Sequence, residues 1–250
     1  MKICLATMLS KNFIIGYIAF ITSLLKNNPN FNLDFVIIDI DLNDQDRKIV
    51  KSFYKNVHFK TPNYKMYDGT NWEATNPVLR NTYYKLDIFS LYDYNRVIFI
   101  DMDTIVLSDI SKLFTYDFPL AGCKGYTFTS DSFRDEINTG VIVLNKPMIK
   151  HNLYQAIVQY AKQGFSMPDQ KAINRFFRGQ IDFIDKKYNV EKRMLHSKKI
   201  KYKFDGSDAK IIHFVSQKPW EDNKSKLNQG FEKLENIWWN YYKMAKEDTF

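Results

Sequence analysis

The sequence predicts an α/β protein with a mostly parallel central sheet and helices on both faces. The first observation behind this is the run Val97-Ile98-Phe99-Ile100, whose continuous apolar character describes a strand buried on both sides. The second is the alternation of strand-like and helix-like segments over the first hundred residues, which is how parallel sheets are built. The third is that the 97–100 run stops at Asp101-Met102-Asp103, because ligands of open α/β sheets gather at the carboxyl ends of strands. Burying an unpaired carboxylate is costly, so two acids at the mouth of a buried strand call for a partner. Mg²⁺ or Mn²⁺ suits such hard oxygen ligands and keeps positions open for phosphates. A solvated loop with two acids and no ligand is the alternative, and the residues by themselves leave both open.

The elements follow in order. Ile3-Cys4-Leu5-Ala6-Thr7 is the first strand. Phe13 to Lys26 has helical spacing and stops near Asn27-Asn28-Pro29. Asp34 to Asp39 is a second buried strand, and Asn43 to Tyr54 an amphipathic helix capped by Asn43, with Asp46 at capping-box spacing. Residues 60–76 read as loop, and Arg80 to Leu91 as a helix carrying Lys85. After the strand at 97–100, Ile137 to Leu144 is another buried strand and Ile149 to Lys162 a helix. Pro168 is placed to begin a helix running to Phe177. Lys210 to Val215 is a late strand. The tail from Leu234 to Met244 reads as an aromatic helix that either packs on the domain or touches a membrane interface. With no repeat or linker, 1–250 is expected to be one domain.

The chain has 250 residues, 45% of them hydrophobic, enough for a large core. No apolar run approaches the roughly 20 residues of a membrane span, and the N-terminus lacks a signal-peptide pattern. Two cysteines, Cys4 and Cys123, in apolar or Gly-rich surroundings suit reduced thiols and a cytoplasmic setting. The net charge of +8 is concentrated: residues 186–203 hold eight Lys or Arg against one Glu. Such a block reads as a solvated loop, or as a site for nucleic acid, an anionic membrane or a phosphorylated ligand. No nucleic-acid-reading motif accompanies it, so no nucleic-acid partner is expected.

Four constellations fall at strand or helix ends: Asp101/Asp103, Asn138-Thr139-Gly140, Asp169-Gln170, and His213 with Lys218-Pro219-Trp220. Together with Tyr84-Lys85-Leu86, Arg96 to Leu107, Asp109 to Phe114 and Ile137 to Asn145, in this order, they resemble glycosyltransferase family 8, the glycogenin-like retaining enzymes, from Ile3 to about Trp220. The resemblance implies a GT-A, Rossmann-like fold. A nucleotide-binding half would cover about 1–115, an acceptor and catalytic half about 116–220, and a helical tail 221–250. It implies a metal-dependent retaining hexosyltransferase that moves a hexose, glucose or galactose first among candidates, from a UDP-sugar to a hydroxyl acceptor on a glycan, glycoprotein or small molecule, with an α-linkage. The ion implied is Mn²⁺, with Mg²⁺ the substitute, held by Asp101, Asp103 and His213.

By position, Ala6 and Thr7 would cup the uracil and ribose, with Phe13 a stacking residue. Lys85 would sit beside the donor sugar or phosphate, Met102 between the two metal-binding acids, and Asn138, Thr139 and Gly140 beneath the donor sugar. Asp169 would bond sugar hydroxyls, Gln170 would lie near the reacting carbon, and Lys218 would contact the diphosphate. An amide at 170 is a poor nucleophile, which favours front-side attack over a covalent intermediate. His213 as a plain core histidine, Lys85 and Lys218 as surface lysines, and Asp169 as a helix-start cap are the structural alternatives.

Two departures from the family pattern stand out. The segment Met8 to Phe13 is about two residues longer and lacks the usual Asn and Tyr. Ser216 stands where Gly is usual after the histidine, in a shorter loop. No acceptor tyrosine matches among the 16 tyrosines, so self-glucosylation is not implied. A sugar-nucleotide hydrolase, a transferase with another donor, and a non-catalytic polyanion-binding module on this scaffold are the other readings. A homodimer and peripheral membrane contact are compatible with the sequence.

Overall fold

The computed structural model describes residues 1–222 and 230–247. Parts of the expected tail, 223–229 and 248–250, therefore lie outside the described residues. Strand β1 (Ile3–Leu9) leads through a short 3₁₀ turn into α1 (Ile14–Asn27), then β2 (Asp34–Asp39), α2 (Asp44–Phe53) and β3 (Val57–Lys60). A 3₁₀ segment at Pro77–Ser90 precedes β4 (Arg96–Ile100) and β5 (Thr104–Val106). Next come β6 (Leu120–Thr127), β7 (Ser132–Asn145), α3 (His151–Ala161), α4 (Pro168–Phe176), β8 (Asp182–Phe183), β9 (Val190–Glu191), β10 (Ile211–His213) and α5 (Glu232–Glu247).

Seven strands form one sheet in the order β3-β2-β1-β4-β7-β6-β8, and only β7 runs against the rest. β5, β10 and β9 form a second, small sheet. The two-residue period of each strand divides the core. Cys4, Val36, Val97 and Ile142 face the layer of α3, α4 and the 3₁₀ segment, while Leu5, Phe35, Ile98 and Val141 face the layer holding α1. Every residue of β4 is buried. At about 1.5–3 kcal/mol per buried large apolar side chain, this strand is a main source of stability. A third cluster joins the small sheet to α5 through Ile105, Ile212, Phe214 and Trp238. The aromatic tail is therefore packed inward: Trp238 is fully buried, with Tyr242 stacked on it at 5.7 Å and Trp220 at 5.1 Å.

Local chemistry explains the boundaries. Asn43 accepts from Asp46 N at 2.9 Å and Asp46 accepts from Asn43 N at 3.1 Å, a reciprocal cap for α2. Pro168 takes the first position of α4.

The segment expected as an α-helix at 80–91 winds instead as 3₁₀ turns over Pro77–Ser90. Side-chain bonds to carbonyls three residues back, Thr82 to Leu79 and Ser90 to Asp87, favour the tighter winding. Asp87 pins the segment from inside, accepting from the hydroxyls of Tyr67 and Tyr154, both at 2.7 Å, and from Asn63 N at 2.9 Å.

The basic stretch 186–203 also differs from a solvated loop. Tyr188, Val190, Glu191, Lys192 and Met194 are buried. The Lys192 ammonium donates to the Gln217 carbonyl and lies 5.0 Å from the Phe231 ring centre, so its charge is satisfied inside the protein. Cys4 and Cys123 are free, buried thiols. Among the described residues, no helix is long and apolar enough to cross a membrane.

Candidate active site

β1 and β4 are neighbours, while the chain proceeds from β1 outward to β2 and β3 on one side and returns to β4 on the other. The reversal opens a crevice at the carboxyl ends of these strands, the expected ligand position in an open α/β sheet. A cleft of about 610 Å³ lies there. Met8 and Ser10 come from the end of β1, Ile40 from the end of β2, and Asp101, Met102 and Asp103 from the end of β4. Asn138, Thr139 and Gly140 line it from β7, and Asp169 and Gln170 from the first turn of α4.

His213 arrives from 110 residues downstream because β10 pairs antiparallel with β5, the strand that immediately follows Asp103. Phe214 N donates to the Asp103 carbonyl at 2.8 Å, which sets the register. The imidazole Nε2 is then 3.1 Å from Asp103 Oδ1 and 3.9 Å from Asp101 Oδ2. The ligating atoms of Asp101, Asp103 and His213 all lie within 4.8 Å of one another. Neighbouring ligands around an ion with bonds of roughly 2.1 Å lie about 3 Å apart, so the three residues fit a divalent cation. Two oxygens and one imidazole form a donor set suited to Mn²⁺. The behaviour of position 140 agrees: a Cβ there would meet His213 Cε1 at 2.3 Å and Nδ1 at 2.4 Å, so the ring seats against a strand that has room only for glycine.

Two lysines balance the acids. Lys85 Nζ bridges Asp101 Oδ2 at 3.1 Å and Asp169 Oδ2 at 2.9 Å, and donates to the Thr139 carbonyl at 3.2 Å. Lys218 Nζ donates to Asp103 Oδ2, and to the Phe214 carbonyl at 3.2 Å. Burial pushes Asp101 up, and the neighbouring Asp103 charge adds to this against the pull of Lys85. Burial acts the same way on Asp103, but Lys218 and His213 overcome it and hold the carboxyl well below its ordinary range. Asp169 is also held down: burial is outweighed by Lys85 and by Thr139 Oγ1, which donates at 2.6 Å. His213 loses basicity through burial and regains more from Asp103, ending above its ordinary value. Four carboxylates line the cleft, those of Asp101, Asp103, Asp169 and Glu221, against the ammoniums of Lys85 and Lys218. This concentration of carboxylates would attract a divalent cation.

Phe13, Lys85, Met102, Ser216 and Lys218 also line the cleft. Phe13 is near its mouth, edge-on to Trp220 at 5.6 Å and 5.9 Å from the Lys218 ammonium. Ala6 and Thr7 are not brought to it. Both are fully buried in β1, and Thr7 Oγ1 donates to the Ile100 carbonyl at 2.8 Å. Met8 and Ser10, both half-buried, line the cleft at that strand end because the strand runs on to Leu9.

Ser216 adopts φ of 65°, the left-handed conformation that glycine takes without cost, and its hydroxyl accepts from Arg193. Sequence reasoning missed Asn189, whose amide oxygen lies 2.9 Å from His213 Nδ1. An asparagine inside a basic stretch carries no local signal. A wider groove of about 700 Å³ between α1, α2 and α5 is lined by residues such as Lys26, Ser52 and Glu247, and it is remote from these groups.

The fold and site define a GT-A glycosyltransferase scaffold, and solved structures agree. The galactosyltransferase LgtC, solved with donor and acceptor sugar analogues, superposes with a TM-score of 0.71 at 17% identity, covering 96% of each chain. The model of glycosyl transferase family 8 matches residues 4–224, and the chain belongs to that family. Among relatives, human glycogenin-2 is 30% identical over 190 residues, 66% of this chain and 35% of its own length. Rabbit (Oryctolagus cuniculus) glycogenin-1 is 30% identical over 187 residues, 66% of this chain and 53% of its own. The chain thus spans about a third to a half of these relatives.

Proposed function

We propose that the protein is a Mn²⁺-dependent retaining hexosyltransferase that transfers glucose or galactose from a UDP-sugar to a hydroxyl acceptor, forming an α-linkage. The observation that carries this reading is the convergence of Asp101, Asp103 and His213 within 4.8 Å at the floor of the cleft. The bound ion would act as a Lewis acid on the departing diphosphate.

The chain's own residues do the rest. Lys218, at the cleft wall beside Asp103, offers a point charge to the developing negative charge on the leaving group. Lys85 and Thr139 both bind Asp169 through Oδ2, and Thr82 also hydrogen-bonds this carboxylate, which fixes it at the cleft wall where it would accept from sugar hydroxyls. Gln170 is buried at the start of α4 and supports the face of the reacting carbon with an amide dipole. The bond from the anomeric carbon to the phosphate oxygen breaks, and the electron pair leaves with UDP. The acceptor oxygen forms its bond on the same face, and its proton passes to the departing phosphate. Buried free thiols at Cys4 and Cys123 support a reducing, cytoplasmic setting.

The test is UDP release from a panel of UDP-sugars and GDP-sugars, with Mn²⁺, with Mg²⁺ and with chelator, in the wild type and in Asp103→Asn. Release specific to UDP-hexoses, dependent on the ion and reduced at least about a hundredfold in the variant, is the expected outcome. Turnover that survives both chelator and Asp103→Asn sinks the metal mechanism.

A further inference from the structure

We infer that Asn189, which is outside the ligand set, is the positioning residue that fixes which imidazole nitrogen of His213 faces the cation. The inference rests on the metal reading above and extends it to a residue that touches neither ion nor substrate.

The deduction starts from a group whose chemistry is not in question. The Gly140 backbone amide can only donate, and its nitrogen is 2.8 Å from one terminal atom of the Asn138 side chain. That atom is therefore the oxygen, Oδ1. A terminal atom of Asn189 lies 2.8 Å from the same oxygen, so it must be the NH₂ group, Nδ2. This turns Asn189 Oδ1 toward His213 Nδ1, 2.9 Å away. An amide oxygen only accepts, so Nδ1 carries the hydrogen. Nε2, on the other edge of the ring, faces Asp101 and Asp103 and is the nitrogen that would offer its lone pair to a cation held between them.

The relay from Gly140 N–H through Asn138 and Asn189 to His213 thus selects one ring orientation and one tautomer. Metal-ligating histidines depend on such an outer hydrogen bond for both properties. Burial makes the selection strict: Asn189 is 1% exposed and His213 5%, so water does not readily replace the amide.

The fold holds the relay. Asn189 directly precedes β9, and β9 pairs parallel with β10 so that Val190 faces Ile212 and Glu191 faces His213. Asn189 is thereby two positions along the chain from Glu191, the residue opposite His213. Loss of the amide oxygen frees the ring to turn about Cβ–Cγ or to shift its proton to Nε2. Either change points hydrogen, not a lone pair, at the cation.

The experiment is Mn²⁺ titration of the whole chain by electron paramagnetic resonance, without donor sugar, for the wild type, Asn189→Leu and Asn189→Asp, with melting temperatures alongside. Asn189→Leu is expected to weaken Mn²⁺ by about 10- to 100-fold. Asn189→Asp keeps an oxygen facing Nδ1 and is expected to bind Mn²⁺ at least about as tightly as the wild type, within roughly threefold, although it loses the donor to Asn138. A structural role alone would lower both melting temperatures and leave Mn²⁺ affinity equal across all three proteins, which overturns the inference. Loss of affinity in Asn189→Asp as severe as in Asn189→Leu also overturns it. Should the wild type itself bind no Mn²⁺, the metal reading falls first, a result distinct from the other two.

Discussion

Gly140→Ala tests the geometry of the site with the smallest perturbation available. Gly140 keeps an ordinary strand backbone, so it is glycine for room and not for conformational freedom. The added Cβ would stand 2.3 Å from His213 Cε1, whereas ordinary contact begins near 3.4 Å. The clash therefore amounts to about 1.1 Å. β7 lies between β4 and β6 in the sheet, which prevents the strand from retreating, so the imidazole must move. Overpacking of this kind costs about 1–3 kcal/mol, and for a chain of this size that lowers the melting temperature by roughly 2–10 °C.

The functional cost is larger. A displacement near 1 Å separates His213 Nδ1 from Asn189 and re-aims Nε2, and misplacement on that scale costs about a hundredfold in rate. Calorimetry, Mn²⁺ titration and UDP release on the same preparation read all three quantities. Gly122→Ala is the matched control: the nearest atoms to its Cβ would be those of the Ile137 side chain at 3.0–3.1 Å, in the same sheet, with no atom of Asp101, Asp103 or His213 among them. Wild-type Mn²⁺ affinity and turnover in Gly140→Ala, or equal losses in Gly122→Ala, would refute the argument that the ring is held against this strand.

Ser216→Gly removes the cost of a left-handed serine, about 1 kcal/mol, and loses a partly exposed bond from Arg193. The melting temperature should stay level or rise slightly and turnover should remain within a few-fold, so a large loss of either shows that the Arg193 contact outweighs the backbone term. Asp131 accepts from Tyr126 Oη at 2.6 Å, from Ser197 Oγ at 2.5 Å, and from Lys198 N and Lys199 N at 2.9 and 3.1 Å, and these bonds draw its carboxyl down to about 2. Its folded value lies below the ordinary one, so its stabilising contribution is complete above about pH 4 and is lost as pH falls through about 2. Amide exchange at Lys198 and Lys199 should accelerate across that window, and Asp131→Asn should abolish the pH dependence. Gln170→Ala should retain activity at about a tenth to a hundredth of the wild type, with an α-linked product by NMR. A β-linked product refutes retention, and a glycosyl adduct on Asp169 refutes the front-side route.

What was legible in the sequence followed from residues whose neighbours in the chain are also their neighbours in space. The Val97 to Ile100 run fixes a buried strand, and the acids that end it must emerge at the sheet's mouth. Asn43 and Asp46 cap a helix across three residues, and the structure contains that reciprocal pair. The segment holding Lys85 was readable as helical but not as 3₁₀, because its winding is set by Asp87 and its distant partners Tyr67 and Tyr154. Strands as short as β8 and β9 carry no period to read. Charge density misled at 186–203, since a lysine reads as surface wherever it stands. Lys192 is buried because a carbonyl and an aromatic ring arrive from residues 217 and 231.

The same division explains why the site's weakest signals lie late in the chain. Asp101, Asp103 and Gly140 belong to the large sheet and its edges, whereas His213 and Asn189 depend on the small one. His213 is named only through the family resemblance, because no local pattern by itself announces a residue whose position depends on pairing across 110 residues, and none announces the Asn189 amide beside it. An ion shared by these residues would tie the small sheet to the large one, so its binding energy would appear partly as stability of residues 186–218. The basic stretch then has a physical reason to fold inward. It carries β9 and Asn189 to the histidine, and it places Lys192 and Arg193 under the loop that ends in Lys218.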